Sequence, residues 1–368
     1  MLPNQRHLFD IPEGVAYLNC AYMSPLMRSV VEAGSAGLAR KSRPWEVAAG
    51  DFFTQTEEVR GLAARLFHAT AEDVALVPSA SYGIETAVRN VPVERGQKIL
   101  VLAEQFPSHV YPWRRLAEEK GAELVTVAWP EDGDWTGAVL RCLTEAVAVA
   151  ALPHTQWTSG GMLDLERIGA ACRGQGTAVV LDLTQSLGAF PFDAGKVQPD
   201  FAVAAGYKWL LCPYTTGVLY VAPKWHGGQP LEAGWMQREN GRRFAELIHY
   251  TDGYMPGARR FDMGEHANFA LVPGMIAALR QILEWGVEEI AETVGGLTGR
   301  LVEELGPAAV PEQFRAPHYL CLRRESLPDP AVLGQEGIYV SLRGTSLRVT
   351  PHVYNSFEDI ARLRAKLV

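Results

Sequence analysis

Val179-Val-Leu-Asp182-Leu-Thr-Gln185-Ser-Leu-Gly188 and Phe201-Ala-Val-Ala-Ala-Gly206-Tyr207-Lys208-Trp209 are two apolar runs that each end in a charge. Both are continuous rather than alternating in apolar character, which is the pattern of a strand covered on both faces. Similar runs occur at Lys98–Ala103, Glu123–Ala128, Ala146–Leu152, Thr177–Asp182 and Gly217–Ala222. Helical patterns lie between them, most clearly at His109–Lys120 and Leu163–Arg173, the second with Asp164 at its N-cap. Strand and helix alternate over about 85–255, which predicts an α/β fold with a mostly parallel sheet.

Working outward, the pattern changes near residue 255. Phe269–Trp285 and Val287–Leu305 read as long helices, followed by short strands near 319–322, 338–340 and 346–349 and a last helix over 356–367. The expected partition is an N-terminal segment, 1–20, packing with the small part; a large α/β domain, 21–254; and a smaller α+β C-terminal domain, 255–368. Gln237–Arg260, rich in charge and glycine, is the candidate connection. No internal repeat or low-complexity tract is present.

The two charges matter because of where they fall. An acid at the end of an apolar strand is costly unless a cation meets it. Strand C-termini are also where parallel sheets bind ligands. Lys208 follows a buried strand 26 residues after Asp182 and is the only lysine inside an apolar stretch, Val203–Leu211. Burial lowers a lysine pKa and suits the amine to Schiff-base chemistry. Taken singly, Asp182 reads equally well as a turn cap and Lys208 as a snorkelling side chain. Together they are the two parts that pyridoxal 5′-phosphate (PLP) requires: a carboxylate for its ring nitrogen and a lysine for its aldehyde. Val77-Pro-Ser79-Ala80-Ser81-Tyr82-Gly83 supplies small and hydroxyl residues ahead of a helix, a suitable phosphate site.

Composition narrows the alternatives. The chain has 368 residues, 48% apolar and 21% charged, within the globular range. A formal charge of −8 argues against a nucleic-acid-binding module. The pairs Arg114-Arg115, Arg242-Arg243, Arg259-Arg260 and Arg323-Arg324 read as solvated faces or local anion sites. No apolar run is long enough for a membrane span, and Met1–His7 lacks the features of a signal peptide. The five cysteines, Cys20, Cys142, Cys172, Cys212 and Cys321, form no C-x-x-C pair, so reduced thiols in a cytoplasmic protein are expected. No phosphate loop, nucleophile elbow or metal-type His/carboxylate cluster occurs, and no metal is expected. Gly295-Gly296-Leu-Thr-Gly299 lacks the preceding strand that a dinucleotide loop needs.

From Tyr17-Leu-Asn-Cys-Ala-Tyr-Met-Ser-Pro25 to Arg348-Val-Thr-Pro-His-Val-Tyr-Asn355, the chain resembles the class V aminotransferase group of fold type I PLP enzymes. That group includes kynureninases, cysteine desulfurases and isopenicillin N epimerase-like proteins. The resemblance implies a large domain built on a seven-stranded sheet and a homodimer with active sites near the interface. It also implies an internal aldimine on Lys208 and an Asp182 partner for the pyridinium nitrogen. Gln185 would approach the phenolic oxygen. Ala80 and Ser81, with Tyr82 next in the segment, and Tyr207 would attend to the phosphate, and Phe106 would stack on the ring. Arg348 would bind the substrate carboxylate, with Asn19 from the N-terminal motif near the substrate. Trp157 stands roughly where the family commonly has asparagine, leaving Gln156 for the phenolic oxygen. Glu265 stands where the family often has a threonine that helps bind the neighbour's phosphate. An anion cannot do that, which leaves a neighbour's contribution open.

The activity expected from this resemblance is that of an aminotransferase or lyase of the epimerase-like branch, acting on an amino acid or related primary amine. An epimerase, a kynureninase-like hydrolase and a catalytically inactive binding or regulatory protein are the alternatives. A persulfide-forming cysteine desulfurase is not expected. The stretch before Arg348 has no cysteine, and Cys321 sits in a strand pattern.

Overall fold

A computed structural model describes residues 1–306, 308–323 and 326–367. Arg324, one member of an arginine pair noted above, lies outside the described residues. The strands are β1 (Ala16–Tyr17), β2 (Val74–Val77), β3 (Lys98–Leu102), β4 (Glu123–Val127), β5 (Val147–Pro153), β6 (Ala178–Asp182), β7 (Phe201–Ala205), β8 (Gly217–Val221), β9 (Leu320–Arg323), β10 (Ile338–Tyr339), β11 (Ser341–Arg343) and β12 (Ser346–Val349). The helices are α1 (Arg28–Arg40), α2 (Asp51–Phe67), α3 (Ala80–Asn90), α4 (Tyr111–Lys120), α5 (Trp135–Cys142), α6 (Leu165–Gln175), α7 (Ala194–Val197), α8 (Leu271–Trp285), α9 (Val287–Leu305), α10 (Pro330–Gln335) and α11 (Phe357–Arg364).

Seven strands form one sheet in the order β2-β8-β7-β6-β5-β3-β4. All pair in parallel except β8, which runs antiparallel to both β2 and β7. Continuous apolar runs make both faces sticky. Ala75, Val77, Val180 and Val203 pack beneath α3 and α4 on one face. Leu76, Leu181 and Ala202 pack against α2, α6 and α8 on the other. Gly83 lets α3 lie close to the sheet, because a Cβ there would meet Val203 Cγ2 at 2.6 Å.

The register sets up the site. Val77 pairs with Gly217, Ala205 pairs with Gly217 from the other side, Asp182 pairs with Val203, and Pro153 pairs with Asp182. The chain segments after β2, β5, β6 and β7 therefore leave the same edge of the sheet as neighbours.

The C-terminal part holds the antiparallel sheet β11-β12-β9, with α9, α10 and α11 around a second core. The N-terminus joins it through parallel β1–β10 pairing and the Asn19–Thr350 bridge. The sequence reading groups α8 with this part. In the structure α8 packs through Val272, Met275, Ile276 and Ile282 into the core shared with Val30 and Val59 of α1 and α2. Ala258 and Phe261 likewise join the core of the large sheet.

The outer edge of β2 is closed by a buried ion pair. Asp262 accepts from Leu76 N at 2.7 Å and holds Arg60 through both oxygens, at 3.0 and 2.8 Å. The two side chains are 1% and 2% exposed. Removing one partner strands the other charge in the core. We expect Asp262→Ala to destabilise the protein by about 3–5 kcal/mol, read as a lowered urea midpoint. A change within about 0.5 kcal/mol would show that the edge is held by other means.

Candidate active site

The segments leaving the C-terminal ends of β2, β3, β5, β6 and β7 enclose a cavity of about 400 Å³. Pro78–Ser81, Phe106, His109, Gln156, Asp182, Gln185, Tyr207 and Lys208 are on its wall.

Lys208 follows the turn at Gly206, where a Cβ would collide with Thr216. It is 6% exposed, and its amine lies 5.4 Å from the centroids of Phe106 and Tyr207 rather than against a carboxylate. Burial lowers its pKa to about 8. Asp182 acts in the opposite direction, and the charges of Arg348 and Arg343 lower it further. Asp182 ends β6 buried, and its Oδ1 accepts from Thr184 N at 2.9 Å, which orients the carboxyl. Thr184 Oγ1 in turn accepts from Ala205 N at 3.0 Å and ties the Asp182 loop to the lysine strand.

Opposite these groups, Ser79 caps α3. Its Oγ accepts from Tyr82 N and lies 2.9 Å from Ser81 Oγ. The N–H groups of Ala80 and Ser81 are in the first helical turn, where no intrahelical acceptor exists. Those donors, the Ser81 hydroxyl and the positive end of the helix form an anion cradle. Tyr82 belongs to the same turn. Burial and the Glu232 charge raise its phenol pKa, so it remains protonated. The Tyr207 ring lies tilted against Tyr214, centroids 4.6 Å apart, and burial raises its pKa to about 12.

The remaining sequence candidates differ in placement. Phe106 lines the cavity, with the Trp157 ring edge-on to it at 5.4 Å. Gln156 lines it too, but its Oε1 accepts from the N and Oγ of both Thr158 and Ser159, making it a clamp for its own turn. Gln185 is held at both ends: Nε2 donates to Ala21 O at 3.2 Å and Oε1 accepts from Trp209 Nε1 at 3.1 Å. Arg348 and Asn19 lie beyond the cavity wall, at the C-terminal sheet. Asn19 Oδ1 accepts from Ser341 Oγ, and Ser341 is paired across the ladder with Arg348. Arg348 is 1% exposed. Its Nη1 donates to Tyr319 OH at 3.1 Å, while Nε and Nη2 have no partner. Glu265 has φ 54° and accepts from Trp235 Nε1, away from this chain's cavity wall.

Two residues near the site went without a role in the sequence reading. His109 is fully buried on the cavity wall with both ring nitrogens unpartnered. Burial lowers its pKa to about 4, against the opposing pull of Asp182, so its ring is neutral at pH 7. Its motif, Phe106-Pro-Ser-His109, was the available signal. Tyr319 buttresses Arg348 and also donates to Trp157 O at 2.6 Å. Tyr319 and Trp157 are 162 positions apart, and only the fold reveals that link.

The donor set fits PLP. It offers a phosphate cradle, an uncompensated buried amine and a buried carboxylate. Unpaired polar atoms on His109 and Thr155 lie on the cavity wall. A larger hollow of about 720 Å³ opens at the other end of the sheet. Its buried acid, Asp200, is saturated by Val179 N, Trp225 Nε1 and Lys224 Nζ, so it offers no free reactive group. No group of potential metal ligands occurs among the described residues, and none of their helices is long and apolar enough to cross a membrane.

A seven-stranded mixed sheet with a small α+β partner is the architecture of fold type I PLP enzymes. The chain belongs to the class V aminotransferase family, whose description, "Aminotransferase class-V", matches residues 17–316. It is 30% identical to a kynureninase from Deinococcus radiodurans over 85% of this chain and 76% of that protein. The apo structure of a cysteine desulfurase from Thermococcus onnurineus NA1 superposes with a TM-score of 0.86 at 21% identity, covering 99% of this chain and 97% of that one. The cystine C-S lyase C-DES superposes with a TM-score of 0.85 at 21% identity, covering 96% and 97%.

Proposed function

We propose that this chain is a PLP-dependent aminotransferase or lyase acting on the amino group of an amino acid or related primary amine. The observation that carries the reading is the convergence of Lys208, Asp182 and the α3 N-terminus on one cavity. When bound, PLP supplies an electron-withdrawing ring that eases bond breaking at the substrate Cα. The rest is the protein's work. The Ala80 and Ser81 N–H groups and the Ser81 hydroxyl would hold the phosphate. Asp182 would keep a proton on the ring nitrogen. Phe106, on the cavity wall, would shield the ring from water. Lys208, with a pKa near 8, accepts and returns protons at Nζ close to neutral pH. The unpaired Nε and Nη2 of Arg348 form the edge that grips a carboxylate with two parallel bonds.

Retention of both Lys208 and Asp182 weighs against an inactive binding protein. The kynureninase relative keeps a hydrolase of that type as the second reading. A homodimer belongs to the proposal, with Leu38, Trp45 and Tyr250 among the exposed apolar side chains available to a second copy.

Incubation with PLP should turn the protein yellow. Amino acids with a keto-acid acceptor should then yield either a new amino acid or released ammonia. A protein that stays colourless and inert would end the reading. Persulfide formation is not expected. Cys20, Cys212 and Cys321 are buried, and burial raises all three thiol pKa values, that of Cys321 to about 12. Trapping after L-cysteine, followed by mass spectrometry, should find no protein persulfide. One formed at the turnover rate would reverse that assignment.

Arg348→Lys keeps the charge but loses the fork. KM for amino acids should rise roughly 10–100-fold while the visible spectrum stays the same. Unchanged KM would make Arg348 a structural partner of Tyr319.

A further inference from the structure

Arg343 and Arg348 stand on one face of the C-terminal sheet. Ser341 pairs with Arg348 and Arg343 pairs with Ser346, so the side chains of all four residues share that face. The two arginines are diagonal neighbours, about 7–8 Å apart at their roots. Both are tied to Trp157. Arg343 Cζ lies 5.9 Å from the Trp157 ring centroid. Arg348 reaches Trp157 through Tyr319, whose hydroxyl accepts from Arg348 and donates to Trp157 O.

Trp157 connects this wall to the lysine. Its ring meets Phe106 at 5.4 Å, and Phe106 lies 5.4 Å from Lys208 Nζ. Outward from the amine the order is Lys208, Phe106, Trp157, Arg343, with Arg348 alongside.

Neither guanidinium has an acidic partner among the described residues. Arg343 donates to the adjacent carbonyl of Leu342, and Arg348 donates to a neutral phenol. Glu104, beside Trp157, is engaged by Thr158 Oγ1 at 3.1 Å. Guanidinium does not deprotonate at working pH, so two like charges on one face repel until an anion arrives. One α-carboxylate satisfies the free edge of Arg348 and leaves Arg343 uncompensated. The cofactor phosphate has its own cradle at α3.

We propose that Arg343 is a second anion contact and that the preferred substrate is an amino acid with a carboxylate on its side chain. This rests on the functional reading above. The α-carboxylate goes to Arg348, and the chain extends along Trp157 to place the second carboxylate on Arg343.

The test uses PLP-loaded enzyme with L-aspartate, L-glutamate, L-alanine and L-phenylalanine. One dicarboxylic substrate should exceed alanine in kcat/KM by about tenfold or more. In Arg343→Leu that ratio should fall about tenfold, and Arg343→Lys should recover part of it. Calorimetry with glutarate and butyrate gives a readout without turnover, and the preference for glutarate should shrink in Arg343→Leu. A wild-type preference for alanine or phenylalanine, or an Arg343→Leu variant with both ratios unchanged, would overturn the proposal. An active enzyme without dicarboxylate preference loses this inference and keeps the functional reading. A protein that binds glutarate through Arg343 but stays colourless with PLP keeps the anion contact and loses the reading.

Discussion

Lys208→Ala should lower turnover by about 10⁴-fold or more and leave the protein folded. The side chain faces a cavity, so its loss removes little packing while deleting the amine proposed to handle protons. Borohydride treatment of PLP-loaded wild type, followed by peptide mapping, should place the pyridoxyl label on Lys208. A label on Lys196 or Lys224 would overturn the assignment. The pH dependence follows from the depressed pKa. The folded value is about 8, below the ordinary lysine value of 10.5, so the amine is protonated below pH 8 and neutral above it. Cofactor uptake by the apoprotein should therefore quicken as pH rises from 6.5 towards 8 and then level off. A rise continuing to pH 10 would show an amine with an ordinary pKa. The same shift makes burial of Lys208 most unfavourable below pH 8, and that cost declines as pH rises through 8–10.5.

Asp182→Asn should cost about 100–1,000-fold in kcat with a much smaller change in KM. Asparagine nearly preserves the shape and retains an oxygen that can accept from Thr184 N. It cannot stabilise a protonated ring nitrogen, so the loss falls on the chemical step rather than on binding. A variant with near-wild-type kcat would make Asp182 only a cap for its own turn. Spectra of the loaded variant provide a check independent of turnover, since the bound chromophore responds to protonation of its ring.

The main parts of the candidate site were legible in the sequence because they are local. Asp182 ends β6 and Lys208 follows the end of the neighbouring β7 by three residues, and each carries its apolar run before it. Ser79–Ser81 could be recognised as a helix entry for the same reason. What escaped depends on partners far along the chain. Val74–Val77 is too short to stand out, and its identity as a strand comes from pairing with β8, more than 100 residues later. The placement of α8 is decided by α1 and α2, not by its own pattern, which reads as a helix wherever it packs. Gln156 and Gln185 are candidate site residues in the sequence, and both line the cavity. That their amides are committed to internal bonds could not be read there, since their partners come from surrounding turns. Arg343 looks like an ordinary turn-flanking residue until ladder register places it beside Arg348.

The position of β8 between β2 and β7 also bears on how the molecule comes to life. β7 and β8 form an antiparallel pair joined by the segment that carries Lys208. Asp182 is on the strand next door, so closing this part of the pocket requires only short loops. Arg348 comes from a strand more than 130 residues later. Loop-closure entropy favours nearby contacts first. Lys208 and Asp182 can therefore come together while the C-terminal sheet is still unfolded, including on a nascent chain. Arg348, the proposed carboxylate contact, is placed only when that sheet docks. On the proposed function, a cofactor bound to the folded site and not to the unfolded chain would favour the folded state by mass action, so that PLP would stabilise the fold as well as serve the reaction.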